Sequence, residues 1–175
     1  MATIAIIGFM AVGKTSVAKL LAGRLDYEMI DTDKWIADEQ DMAISEIFAA
    51  SGEDYFRQLE RDMLLRCTQM DNVVIATGGG AVLSPKNREL LKERCYVISL
   101  TSDPEVILKR VQADGHTRPL LESQTEAPYQ RICRLQDERK SFYQEADLMI
   151  DTSDKTLLEI VELIMADLQA KGLVS

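Results

Sequence analysis

A chain of 175 residues with 46% hydrophobic composition suits one compact domain with a substantial core. Its 20 Lys and Arg against 29 Asp and Glu leave a formal charge of −9, which argues against a general polyanion binder, since nucleic-acid affinity rests on positive surface. The three cysteines, Cys67, Cys95 and Cys133, stand far apart without C-x-x-C spacing, so neither a disulfide framework nor a zinc site is indicated and reduced thiols in a cytosol fit best.

The chain runs directly into a strand-like segment, TIAII at 3–7, with no basic leader, and no apolar stretch reaches the roughly 18 residues of a membrane span, so a soluble, unprocessed protein is expected. The next residues carry the strongest signal. Gly8, Gly13, Lys14 and Thr15 satisfy G-x-x-x-x-G-K-[ST] between a buried strand and a helix start. Glycines allow a tight turn whose amides face inward, the helix terminus adds its dipole, the lysine neutralises β- and γ-phosphates, and the threonine suits Mg²⁺. The stretch is built to hold a nucleoside triphosphate. A GTP switch is disfavoured, because neither D-x-x-G nor N-K-x-D occurs. A small-molecule kinase or an ATPase coupled to binding or motion remains.

A weaker strand at 28–30 leads into DTDKW. Asp31 and Asp33 would point to the same side at the carboxyl edge of a parallel sheet, one orienting water on Mg²⁺ and the other holding a hydroxyl. Alternatively Asp31 ends the strand and Asp33 caps the next helix. In the helix that follows, Arg57 points away from the Phe56, Leu59 and Met63 stripe, and pattern alone makes it a solvated surface residue. Strand VVIA at 73–76 runs into Gly78, Gly79 and Gly80, which either let backbone approach a ligand closely or form an ordinary flexible turn.

Strand CYVISL at 95–100 is followed by a helix and a polar loop at 112–128, which could serve as a lid. It contains Arg118, able to swing onto a transferring phosphoryl group, and His116, read as a solvated loop residue. Arg139 projects near the centre of a helical stripe made by Ile132, Leu135, Phe142 and Tyr143. A guanidinium there needs a protein carboxylate or an anionic ligand opposite it. Strand LMI at 148–150 precedes a final amphipathic helix with Leu157, Ile160, Val161, Ile164 and Leu168 inward. Strands alternating with helices imply an α/β fold with a parallel sheet covered on both faces.

Taken together, GFMAVGKT, DTD, FRQLE, ATGGG, RPLL and RKSFYQEAD occur in an order and spacing that resemble the shikimate kinases across nearly the whole chain. The phosphate loop is widely shared, but FRxxE followed by GGG and RPLL is specific to that group. The resemblance implies a P-loop NTPase three-layer sandwich, nucleoside monophosphate kinase-like, with a five-stranded parallel sheet, and a single domain over 1–175 that includes a helical substrate region at about 33–61 and a lid at about 112–125. It further implies transfer of the γ-phosphate of ATP to the 3-hydroxyl of shikimate, giving shikimate 3-phosphate and ADP in chorismate biosynthesis. The alternatives are a gluconate or nucleoside monophosphate kinase, or a non-catalytic ATP-binding module.

The roles carried over by the resemblance are as follows. ATP lies on Gly8, Ala11, Val12, Gly13, Lys14, Thr15 and Ser16, with Arg110 near adenine and Arg118 at the phosphoryl group. Thr15 ligates Mg²⁺ and Asp31 supports it through water; Asp33 holds the 3-hydroxyl. Arg57 and Arg139 clamp the substrate carboxylate, and Gly79 and Gly80 approach shikimate through backbone. Lys14, Asp33 and Arg118 are the catalytic set. Alanine at position 11 departs from the family's usual glycine, so the loop must accept a Cβ there. A cytoplasmic monomer without nucleic-acid or membrane partners is expected.

Overall fold

The computed structural model describes residues 3–114 and 126–174. Strand β1 (Ile4–Gly8) is buried at every position, as an apolar run covered on both faces must be. It is the central strand of a five-stranded sheet ordered β2-β3-β1-β4-β5, in which β2 is Glu28–Asp31, β3 Val73–Ala76, β4 Tyr96–Thr101 and β5 Leu148–Asp151. Every pairing is parallel, with Ile6 opposite Ala76 on one side and Ile98 on the other. The chain leaves β1 for β2 and β3 on one flank, then returns to β4 and β5 on the other. The carboxyl end of β1 is therefore the switch point at which such sheets form a ligand crevice.

The helices begin where local chemistry satisfies their free amides. Helix α1 (Lys14–Leu25) starts from Gly13, whose φ of 97° is open to glycine at no steric cost. Helix α2 (Thr32–Gln40) is capped by the Asp31 carboxylate, which accepts from the Lys34 amide at 3.1 Å. Helix α3 (Ile44–Cys67) breaks at Gly52, where φ is 81° and ψ is 173°. Helix α4 (Pro85–Arg94) combines a Ser84 cap with proline in its first turn. Helices α5 (Pro104–Asp114) and α6 (Pro128–Tyr143) also begin at proline, and α7 (Leu157–Ala170) has a reciprocal Thr156–Glu159 capping box.

Ile4, Ile6, Ile75, Ile98 and Leu100 of the sheet are fully buried, with Leu21 of α1 and Ile164 of α7 packed among them. Strand boundaries lie within one residue of the sequence expectation, which began β1 at residue 3 and β4 at residue 95. Leu157, expected to face inward on α7, is instead 40% exposed, at the first position beyond the cap, where the helix has barely begun. The expected lid boundary also shifts: residues 112–114 belong to α5, while the rest of the 112–125 segment, with His116 and Arg118, lies outside the described residues.

Candidate active site

The phosphate-loop side is assembled at the end of β1. Gly8, at φ 149°, lies so close to the Leu100 carbonyl of β4 that a Cβ would collide with it. Ala11 adopts a left-handed conformation at φ 58°, so the loop does accept its Cβ, in backbone space that favours glycine. Val12 is 1% exposed, so its side chain anchors the loop in the core, and its carbonyl accepts from Thr152 Oγ1 at 3.4 Å. The Lys14 ammonium donates to the Gly8 and Phe9 carbonyls at 2.9 and 2.8 Å. Thr15 donates from Oγ1 to Asp31 Oδ2 at 2.7 Å, and Ser16 stands exposed beside it in the first turn of α1. Arg110 donates from Nη1 to the Ala11 carbonyl and Thr152 Oγ1, both at 3.3 Å, and from Nη2 to the Thr152 carbonyl at 3.2 Å. That side chain bolts the phosphate loop to the segment after β5.

Facing it, the three glycines after β3 each meet one residue singled out from the sequence. A Cβ on Gly78 would strike the Asp33 carboxylate and come within 3.0 Å of Glu60, while the Gly78 amide donates to Thr32 Oγ1 at 3.0 Å. Gly79 packs against the phosphate loop, where a Cβ would lie 3.4 Å from the Met10 nitrogen, and its carbonyl accepts from Arg139 Nη1 at 3.1 Å. Gly80 lies against the Arg57 guanidinium, and a Cβ there would overlap it. At Gly78 and Gly80 a Cβ would displace the Asp33 carboxylate or the Arg57 guanidinium, so the glycines let these side chains approach the backbone closely.

The two arginines differ in how their charge is met. Arg57 pairs with Glu60 at 3.1 Å and Glu53 at 3.0 Å, and its side chain is only 20% exposed. The solvated-surface reading of Arg57 is therefore corrected: the groups that cover it come from the glycine turn and from its own helix one turn away. Arg139 is 3% exposed and stacks 5.5 Å from the Phe9 ring. Among the described residues no carboxylate forms an ion pair with it; its Nη1 donates to the neutral Gly79 carbonyl, and it also interacts with the Tyr143 phenol. The Glu60 carboxyl is pushed up to about 7, chiefly by burial, with the neighbouring Asp33 charge raising it further and Arg57 opposing both.

Sequence reasoning missed the role of Glu60, although it falls three residues after Arg57 on one helix face, a spacing that pairs opposite charges. Of the two readings of the Asp31 and Asp33 pair, the one in which Asp33 caps the next helix is corrected. Asp31 both ends β2 and caps α2, leaving Asp33 in the first turn beside Gly78. Thr152, 1% exposed and donating to the Thr101 carbonyl at 3.0 Å, was not singled out from the sequence. No group of three or more His, Cys, Asp or Glu among the described residues could cage a metal. The Thr15 hydroxyl and Asp31 carboxylate beside a phosphate cradle are instead the sparse oxygen set that suits Mg²⁺ arriving with nucleotide phosphates.

Comparisons with known proteins bear on the family and the fold. A family profile described as shikimate kinase matches residues 10–169. A shikimate kinase of Caldanaerobacter subterraneus subsp. tengcongensis is 43% identical over 173 residues, covering 98% of this chain and 99% of that one. The structure of a shikimate kinase from Acinetobacter baumannii in complex with shikimate superposes with a TM-score of 0.91 at 32% identity, covering 98% of this chain and 94% of that chain. A gluconokinase structure from Sinorhizobium meliloti, at 15% identity and a TM-score of 0.59 over 97% of this chain and 92% of that one, shares the fold alone. The chain belongs to the shikimate kinase family.

Proposed function

We propose that this protein transfers the γ-phosphate of ATP to the 3-hydroxyl of shikimate, yielding shikimate 3-phosphate and ADP, within aromatic amino acid biosynthesis. The observation that carries the reading is Arg139, a buried cation with no carboxylate opposite it among the described residues, set across the glycine turn from Arg57. A buried guanidinium left without an anion is costly, so the site is completed by a ligand that brings one. The carboxylate of shikimate meets that need, since the planar fork of each arginine can hold it in a fixed direction.

From that anchor the residue roles follow. Gly79 and Gly80 bring backbone to the ring of the acceptor, and Asp33, beside Gly78, orients the 3-hydroxyl toward the phosphate loop. The hydroxyl oxygen forms a bond to the γ-phosphorus as the bond to the β–γ bridging oxygen breaks; ADP leaves with that electron pair and the hydroxyl proton passes to the Asp33 carboxylate. Lys14 is the cation nearest the loop carbonyls and neutralises charge on the transferring group. Gly8, Ala11, Val12, Gly13 and Ser16 supply the surrounding backbone, and Arg110 borders the base through the loop it shares with Thr152. Arg118 of the lid completes the charge at the phosphoryl group.

Thr15 and Asp31 would hold Mg²⁺, which neutralises phosphate charge when bound with the nucleotide. Residues 33–61 form the substrate region of a single domain. No described helix is long and apolar enough to cross a membrane, and Cys67, Cys95 and Cys133 are free thiols, which fits a cytoplasmic enzyme. The protein acts as a monomer on small-molecule substrates. The test is ADP release with ATP and Mg²⁺ in the presence of shikimate, gluconate, a nucleoside monophosphate or no acceptor. Strict dependence on shikimate is expected; release with another acceptor, or nucleotide binding without release, would overturn the assignment.

A further inference from the structure

We propose that Arg88, in the first turn of α4, is a positioning residue for the acceptor site. It fixes the glycine turn and α6 as one unit, so that Arg139 meets the substrate carboxylate from a set direction. The proposal rests on the acceptor-site reading above.

Three elements converge on this side chain. Arg88 donates from Nη1 to the Val82 carbonyl at 2.7 Å, two residues past Gly80. Its Nε lies 3.3 Å from Glu145 Oε1, just beyond the end of α6, and its guanidinium carbon sits 4.2 Å from the Phe142 ring centroid. The neighbouring Asn87, 1% exposed, donates to the Ala81 carbonyl at 3.0 Å. Helix α4 therefore holds two consecutive carbonyls of the short turn at Ala81–Leu83, but only Arg88 also reaches α6.

Phe142 lies three residues beyond Arg139, on the same face of α6. The glycine turn is thus joined to α6 at two points: Gly79 through Arg139 at 3.1 Å and Tyr143 at 3.5 Å, and Val82 through Arg88. The first joint uses the same guanidinium that must serve the ligand. The second is independent of it and sets the spacing of the turn from the helix. Glu145 is 47% exposed, so the ion pair itself adds little stability. The Nη1 hydrogen bond to Val82 and the stacking on Phe142 nevertheless tie the turn to the helix, with Nε near Glu145 as a charge contact without a hydrogen bond, and small displacements of an anchoring group weaken binding steeply.

Calorimetric titration with shikimate, together with steady-state kinetics, tests the proposal on the intact protein, Arg88→Met, Arg88→Lys and Glu145→Gln. Arg88→Met should weaken shikimate Kd and KM by about tenfold, with saturated kcat and ATP KM within about twofold. Arg88→Lys, which keeps the charge but not the fork, should recover part of the loss, and Glu145→Gln should shift KM in the same direction by about two- to threefold. A merely structural role would lower melting temperature and active fraction, and so kcat, with shikimate KM unmoved; that result overturns the proposal. Should Arg88→Met fail to fold, Glu145→Gln decides, because an unchanged KM there is equally fatal. Absence of shikimate binding by the unaltered protein would instead refute the substrate reading, and this proposal with it.

Discussion

The Arg57 guanidinium lies against the α-carbon of Gly80, so that a methyl group added there would overlap its Nη1, Nη2 and Cζ atoms. The backbone of Gly80, at φ −99° and ψ 0°, is accessible to alanine, and the obstructed group is the far end of a flexible side chain. Gly80→Ala should therefore fold normally while displacing Arg57 from the acceptor. We expect shikimate KM to rise about tenfold, equivalent to about 1.4 kcal/mol of binding, with ATP KM unchanged. A folded variant with normal shikimate KM would mean that the acceptor does not sit between Gly80 and Arg57.

Arg57 and Lys14 should separate binding from turnover. Arg57 faces the acceptor turn and Lys14 the phosphate loop, so their losses fall on different kinetic constants. Arg57→Ala is expected to raise shikimate KM by roughly tenfold to a hundredfold, the range for losing charged hydrogen bonds. Lys14→Ala should lower kcat by about a hundredfold with a smaller effect on shikimate KM, since charge on the transferring group grows in the transition state. Arg57→Ala also strands the buried Glu60 carboxylate, so Arg57→Lys is the companion variant. Equal effects of both alanine variants on kcat alone would contradict the division of roles.

The sheet and phosphate loop were legible because their signals are local. β1 is an uninterrupted apolar run, and the loop residues follow it within a fixed spacing. Arg139 was legible for the same reason, as a charge on an apolar face of its own helix. Arg57 was not, because a helical pattern reports only one element, and what covers Arg57 is partly a glycine with no side chain to announce it. The break at Gly52 in α3, where a long helical pattern reads through, was equally invisible: only tertiary packing decides that the chain turns there. Glu60 shows the same limit, since its raised carboxyl comes chiefly from burial in the tertiary fold, with the Asp33 charge from another helix adding to it.

That shift makes Glu60 a contributor to the pH dependence of stability. Its folded value, about 7, stands above the ordinary 4.5, so the folded state is favoured while the carboxyl is protonated. The contribution is fully present below about pH 4.5 and is lost as pH rises through about 7, a change on the order of 3 kcal/mol. Glu60→Gln removes the titration while keeping an oxygen for Arg57. Urea midpoints measured between about pH 5 and pH 8 should fall with pH less steeply in the variant. The formal charge of −9 gives both proteins a shared downward slope, so the difference between them is the readout. Parallel curves would exclude a buried, titrating Glu60.

Ala11 offers a test of how much strain the phosphate loop carries. A non-glycine residue at φ 58° costs about 1–2 kcal/mol relative to the usual right-handed region. Ala11→Gly relieves that strain but enlarges the unfolded ensemble by about 0.4–1 kcal/mol, so the net gain in stability should lie between about 0 and 1.6 kcal/mol. ATP KM should be unchanged, because position 11 engages Arg110 through its backbone carbonyl, which glycine retains. Ala11→Val is the opposing case. A β-branched side chain is a true outlier in this conformation, and forcing the loop to another one breaks the Arg110 contact and turns the loop amides away from the nucleotide. Valine should therefore raise ATP KM and lower the melting temperature while leaving shikimate Kd unaltered. A valine variant with normal ATP KM would show that the loop does not need the left-handed residue it contains.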